Sequence, residues 1–138
     1  MQAYSRGMSA PVPYLFFEGT ARVALEFYRE VFGGELALFT YADFGREDGP
    51  ADAIAHGELS GPVLLSGSDV PSGRPVVRVE GMLFSLLGTA DPDVLRQWFD
   101  ALADGGEVID PLQLRGWGDY DGQVVDRFGL PWLIGFKG

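Results

Sequence analysis

The chain has 138 residues, 46% hydrophobic and 22% charged, a globular composition, and a domain of this length buries roughly two thirds of its unfolded surface. Its 20 acidic residues against 10 Lys plus Arg leave a net charge of −10 with no basic stripe, so nucleic acid and anionic membranes are repelled. The absence of cysteine excludes disulfide frameworks, thiol nucleophiles and thiolate zinc sites together.

The opening MQAYSRGMSA has no apolar signal core and no period, and reads as a frayed start or an expression remnant. No later run approaches the roughly 18 apolar residues that cross a bilayer, so a soluble cytoplasmic protein is the expectation. PYLFF, 13–17, is short and aromatic and reads as a strand ending at Glu18-Gly19. Thr20 is the expected N-cap of a helix whose stripe is Ala21, Ala24, Leu25, Tyr28, Val31 and Phe32, stopped by Gly33-Gly34. ELALFTYA, AIAHGELS and PVLLSGS follow as three strand-like runs, giving βαβββ over 11–69. Residues 70–79 lie in a stretch rich in Pro and Gly and read as a connector, within which VVRV could pair as a short strand.

MLFSLLGT opens the second half as a strand. Asp91 as N-cap, Pro92 at the first helical position and Asp93 in the first turn then mark a helix start. Val94, Leu95, Trp98, Ala101 and Leu102 supply its stripe, and EVIDPLQL, YDGQVVDRFG and PWLIGFK give three more strands, so βαβββ recurs over 80–138. Overlaid with a one-residue gap, EFYREVFGGEL sits on QWFDALADGGEV, bringing Gly33-Gly34-Glu35 onto Gly105-Gly106-Glu107. The chain therefore reads as one α+β domain made of two copies of a unit of about seventy residues, too long for a solenoid repeat. Neither copy can close a core alone, so the two are expected to pack around a shared cavity.

The tail GWGDYDGQVVDRFGLPW carries Trp117-Gly118, Gly122, Asp126, Phe128-Gly129 and Trp132 in order. With PYLFFEG, FYREVFGGEL, AHGEL, LLSGSD and LADGGEV it resembles the vicinal oxygen chelate superfamily of glyoxalases, bleomycin-resistance proteins and dioxygenases. The likeness runs from Pro13 to Phe136 and is greatest to the PhnB-like branch, often labelled demethylubiquinone methyltransferase-like. Arg127 replaces the family's usual proline, and Pro131 follows Leu130 before the tryptophan. The resemblance implies two βαβββ modules whose curved mixed sheets enclose a cavity, often in a homodimer. The methyltransferase label finds no support in the residues, since no glycine-rich loop after a strand is available for a nucleotide cofactor.

The resemblance also implies a test for metal. Metal-using relatives hold one divalent ion with His, Gln and Glu from the first and last strands of each module, where imidazole and carboxylate suit zinc, nickel, manganese or iron. Here those strands offer Tyr14 and Phe16, Leu64 or Ser66, Met82 and Phe84, and Leu133 or Ile134. None is a good ligand, and a shift of one residue rescues none, so no divalent metal or other cofactor is expected.

His56 is the only histidine, at a place where the PhnB-like branch commonly has one. Alternation sets it on one face with Ile54 and Glu58, roughly 7 Å along the strand from Glu58 and so out of direct reach. Facing a cavity, it could donate a hydrogen bond or serve as the general base; satisfied by a carbonyl in the sheet, it would be structural. A serine triad with Ser66 or Ser68 lacks a nucleophile elbow.

Tyr14, Phe16, Phe44, Trp117, Tyr120 and Trp132 are the aromatic candidates for a pocket, with Trp117 and Tyr120 expected exposed and Trp132, in the last strand, read more readily as core. Asp119, Asp121 and Asp126 fail the calcium-loop pattern, and Asp121-Gly122 reads as a turn.

The leading expectation is metal-free binding of a small, planar or aromatic molecule, by a homodimer whose pocket includes Tyr14, Phe16, His56, Trp117, Tyr120 and Trp132. An enzyme using His56 as base is the alternative. A purely structural or regulatory role, the acidic surface meeting a basic protein, is the third.

Overall fold

The computed structural model describes residues 10–138, so the expectation for the opening residues falls almost wholly outside it. The elements are β1 Tyr14–Phe17, α1 Ala21–Phe32, β2 Glu35–Thr40, a 3-10 turn Ala42–Phe44, β3 Ile54–Ser60 and β4 Leu65–Asp69. Then come β5 Phe84–Leu87, α2 Pro92–Ala103, β6 Glu107–Leu114, β7 Asp119–Val125 and β8 Pro131–Lys137. The chain divides between Val77 and Arg78 into two compact units, each a four-stranded mixed sheet with one helix.

The first sheet has the order β1-β4-β3-β2 and the second β5-β8-β7-β6, so the topology is the same twice. In each, the first strand runs parallel to the last: Tyr14 is the partner of Ser66, and Phe84 of Trp132. A parallel pair needs a crossover, and the helix with two further strands supplies it. Pro111 is tolerated in β6 because that strand is an edge.

The repeated Gly-Gly-Glu has the same backbone cause in both units. The first residues, Gly33 and Gly105, have φ of 78° and 77°, which a side chain disfavours. A side chain on the second, Gly34 or Gly106, would strike the carbonyl oxygen of Ser60 or Val125. Those carbonyls belong to the strand partners of the following residues, Glu35 and Glu107, so both glycines let the incoming strand close onto its neighbour.

α1 packs on β2, β3 and β4, and α2 on β6, β7 and β8. The α1 stripe contains Phe27 in place of the expected Val31, which is only half buried. In α2 the buried set is Leu95, Trp98, Phe99 and Leu102, with Val94 and Ala101 partly exposed. Phe27 and Val31 lie one turn apart on the same flank of α1, whereas in α2 the buried arc is rotated toward Phe99.

Thr20 occupies the N-cap position, but its side chain caps nothing. Buried Asp69 takes that role from 48 residues away: its Oδ1 accepts the Ala21 N–H at 3.0 Å and its Oδ2 the Ile54 N–H at 2.9 Å. α2 solves the same problem with Pro92, which has no N–H to satisfy, and Asp91 likewise makes no side-chain cap. In the second unit buried Asp126 braces the β7–β8 turn, accepting the N–H groups of Phe128 and Leu130 and the indole N–H of Trp132.

Much of the stretch expected as a connector is tied to the first unit. The Val70 N–H donates to Phe17 O at 2.7 Å and the Val77 N–H to Phe16 O at 2.8 Å. VVRV forms no strand; the Val77 bond is its single link to β1 among the described residues.

Replacing Asp69 by Ala strands two buried N–H donors, and we expect a loss of about 2–4 kcal/mol in urea unfolding. Thr20→Ala, at an N-cap whose side chain makes no bond, should change stability by less than about 0.5 kcal/mol. Equal effects of the two substitutions would contradict the assignment of the cap.

Candidate functional site

The open face of the first sheet follows from its packing. A side chain at Gly57 would run into Leu25 of α1 and Leu38, so Gly57 faces the helix and its neighbours His56 and Glu58 face away. Register extends that face: Glu58 is opposite Ser66, Ser66 opposite Tyr14, and His56 opposite Phe39. Leu15 and Phe17 are buried toward the helix, whereas Tyr14 and Phe16 are 43% and 46% exposed on the other side.

On this face Tyr14, His56 and Glu58 form a hydrogen-bonded chain. Tyr14 Oη lies 2.8 Å from His56 Nδ1, and His56 Nε2 lies 3.1 Å from Glu58 Oε1. The expectation that Glu58 is out of reach of His56 is therefore incorrect: the backbone spacing holds, but the long Glu58 side chain folds back along the strand to close it. An ionised Glu58 only accepts, so Nε2 must donate to it, and neutral His56 then offers a lone pair at Nδ1 for the Tyr14 O–H.

His56 is 4% exposed and lies between aromatic rings, Tyr14 at 5.5 Å and Phe39 at 6.4 Å. The phenol is the more accessible end of the chain. Phe16 meets Tyr14 edge-on at 5.6 Å, and Phe44, the remaining aromatic candidate of this unit, stacks on Phe39.

Phe16 also lines a cavity of about 390 Å³ at the ends of β1 and β4, with Arg46, Ser68, Arg74 and the 69–71 segment among its walls. Arg46 is committed there: it pairs with Asp48 through two nitrogens at 2.7 and 3.0 Å and lies 3.9 Å over the Tyr41 ring. Its hydrogen bonds hold the Asp48 carboxyl below the usual carboxylate range, and Asp48 in turn raises Arg46. This cavity is absent from the sequence reading; its one advance signal was Arg74, a cation in a Pro- and Gly-rich stretch.

Trp117 and Tyr120 are placed in the second unit, where both line a cavity of about 310 Å³ with Leu87, Asp119, Phe136 and Lys137. Trp117 is 71% exposed; Tyr120 is half buried, stacked on Phe136 with the Arg96 guanidinium 5.1 Å above. Nearby Arg115 binds Asp110 and Asp121, which raise its pKa in that order and explain why Asp121 is not a ligand in waiting. Trp132, a pocket candidate read more readily as core, is 1% exposed, and its indole N–H donates to buried Asp126, so it belongs to the core and not to a pocket surface.

The donor set does not fit the usual divalent ion of the resembled superfamily. Among the described residues no three His, Asp or Glu side chains converge, and the strand positions carry Tyr14, Ser66, Phe84 and Leu133 or Ile134. No described helix is long and apolar enough to cross a membrane.

Comparison with known proteins gives a consistent picture. Residues 12–134 match the Glyoxalase/Bleomycin resistance protein/Dioxygenase superfamily. The curated relative Protein YjdN of Escherichia coli (strain K12) is 28% identical over 137 residues, covering 88% of this chain and 91% of its own. Protein PA1353 from Pseudomonas aeruginosa has a similar structure, with TM-score 0.74 and 33% identity over 92% of this chain and 96% of that one. The PhnB protein from Bacillus cereus has TM-score 0.73 at 18% identity, covering 92% and 97%.

The hydrogen-bond chain fixes one ring tautomer. Nitrogen-15 NMR of neutral His56 should show a protonated Nε2 and an unprotonated Nδ1, and Glu58→Gln should weaken that preference. A protonated Nδ1 in the unmodified protein would refute the direction of the chain.

Proposed function

The chain belongs to the Glyoxalase/Bleomycin resistance protein/Dioxygenase superfamily, and from that premise we propose that it binds a small planar molecule without the divalent metal its metal-using relatives employ. The observation that carries this reading is the Tyr14–His56–Glu58 chain on the open face of the first sheet. It holds a phenol at a set position beside exposed Phe16, a polar handle next to an aromatic surface. Because Glu58 and His56 fix the phenol from behind, Tyr14 is oriented before a ligand arrives, which lowers the ordering cost of binding.

A second reading, catalysis, draws on the same chain. If a ligand proton moves to the Tyr14 oxygen while the phenol proton passes to His56 Nδ1, the ligand is left as the anion, Tyr14 stays neutral and Glu58 pairs with the imidazolium. His56 would then be the base acting through Tyr14. The superfamily's description names a resistance protein beside glyoxalase and dioxygenase enzymes, and the chain of donors serves either binding or catalysis.

Thermal shift and calorimetry with a library of small aromatic compounds, beside zinc, nickel, manganese and iron, test the proposal. We expect at least one compound to raise the midpoint, with Tyr14→Phe weakening it about tenfold, the loss of one good hydrogen bond. Stoichiometric tight binding of one of the metals would overturn the metal-free reading. Turnover of a bound compound that vanishes in His56→Ala would favour the enzyme.

A further inference from the structure

The cavity beside Phe16 carries a cation, Arg74, that forms no ion pair among the described residues. Arg74 has no ion pair or hydrogen bond through its side chain among the described residues, whereas Arg46 across the cavity is bound by Asp48 and stacked on Tyr41. Ser68, 6% exposed, also lines the cavity, and its hydroxyl has no hydrogen-bond partner among the described residues. In a chain with net charge −10, an exposed arginine and a buried hydroxyl, neither with a side-chain partner among the described residues, line the same cavity and have donors to offer an acceptor.

The walls are fixed. Val70 and Val77 are tied to Phe17 and Phe16 by backbone hydrogen bonds, and the turn between them is closed by the Arg74 N–H donating to Pro71 O at 3.2 Å. Gly73 N–H reaches the Glu18 carboxylate at 3.3 Å. On the other side Tyr41 donates its hydroxyl proton to Asp69 O at 2.8 Å. The two acids that line the cavity are both engaged: Asp48 by Arg46, and Asp69 by the N–H groups of Ala21 and Ile54.

We infer that this cavity takes the anionic group of an aromatic carboxylate, held by the Arg74 guanidinium and the Ser68 hydroxyl, with the ring of the ligand against Phe16. The inference deepens the proposed binding function and rests on it for the path onward: Phe16, which lines the cavity, also meets the Tyr14 ring at 5.6 Å. A carboxylate suits a guanidinium because two parallel N–H donors match its two oxygens. A cavity of about 390 Å³ is within the range that small ligands occupy.

Benzoate, benzamide and benzylamine are the probes, titrated by calorimetry into the full-length protein, Arg74→Glu, Ser68→Ala and Tyr14→Phe. Benzoate is expected to bind, and neutral benzamide and cationic benzylamine to bind at least about tenfold more weakly, as the loss of a charge-assisted bond requires. Arg74→Glu should abolish benzoate binding and Ser68→Ala weaken it, with unchanged thermal midpoints showing that the fold is intact. No benzoate binding at millimolar concentration, equal binding of benzoate and benzamide, or benzoate binding that survives Arg74→Glu would each overturn the inference. The outcomes separate it from the broader reading. Library compounds that depend on Tyr14 but ignore Arg74 leave the binding function and remove this site; benzoate that depends on Arg74 but ignores Tyr14→Phe leaves the site and removes its link to the phenol.

Discussion

The first unit depends on one carboxylate buried away from water. Asp69 sits at the end of β4, and its two oxygens accept N–H groups from the first residue of α1 and the first of β3, while its own carbonyl accepts the Tyr41 hydroxyl. Three segments far apart in sequence are thus referred to one residue, two of them to its side chain. An isolated buried charge is costly, and these donors are what make it tolerable. β4 ends at this residue, and the 70–77 segment that carries Arg74 departs from it.

The two units share a frame and differ in how they satisfy it. Both use a glycine pair to bring the strand after the helix against its neighbour, and both pair first and last strands in parallel. The helix starts diverge: α1 has an N–H that Asp69 accepts, and α2 begins with a proline that has none. The second unit spends its buried aspartate elsewhere, on the turn before β8 and the indole of Trp132. A repeat conserves what the backbone requires; the side chains that answer each requirement are free to change.

That distinction explains what could be read from the sequence. Periodicity placed both helices, and every strand-like run outside VVRV overlaps a strand, because these depend on local patterns of apolar residues and glycine. Asp121-Gly122, read as a turn, instead lies inside β7. The Gly-Gly-Glu repeat was legible for the same reason. Asp69 as a cap was not, since local capping rules look within a few residues and the donor is 48 residues away. His56 was visible as a candidate, but its bond to Glu58 was obscured by counting strand rise alone, which fixes Cα positions and not the reach of a three-carbon side chain. Tyr14 was chosen as an aromatic surface; its role as hydrogen-bond partner of His56 required the pairing of β1 with β4 and of β4 with β3, which no single segment encodes.

The charge of the chain bears on which small molecule would suit it. A net charge of −10 disfavours anions at long range, but solvent ions screen exposed charges over roughly 8–10 Å, so a bound anion responds mainly to its immediate neighbours. Around Phe16 those neighbours include two guanidiniums, one already neutralised, and two carboxylates whose oxygens are occupied by N–H donors. Along the same strand the accessible polar group is a phenol backed by imidazole and carboxylate, which can give up or accept one proton. An aromatic acid whose carboxylate meets Arg74 would lay its ring on Phe16 and direct its far edge along β1 toward that phenol. The cation and the phenol would then act on one ligand from two ends, fixing both its position and its orientation.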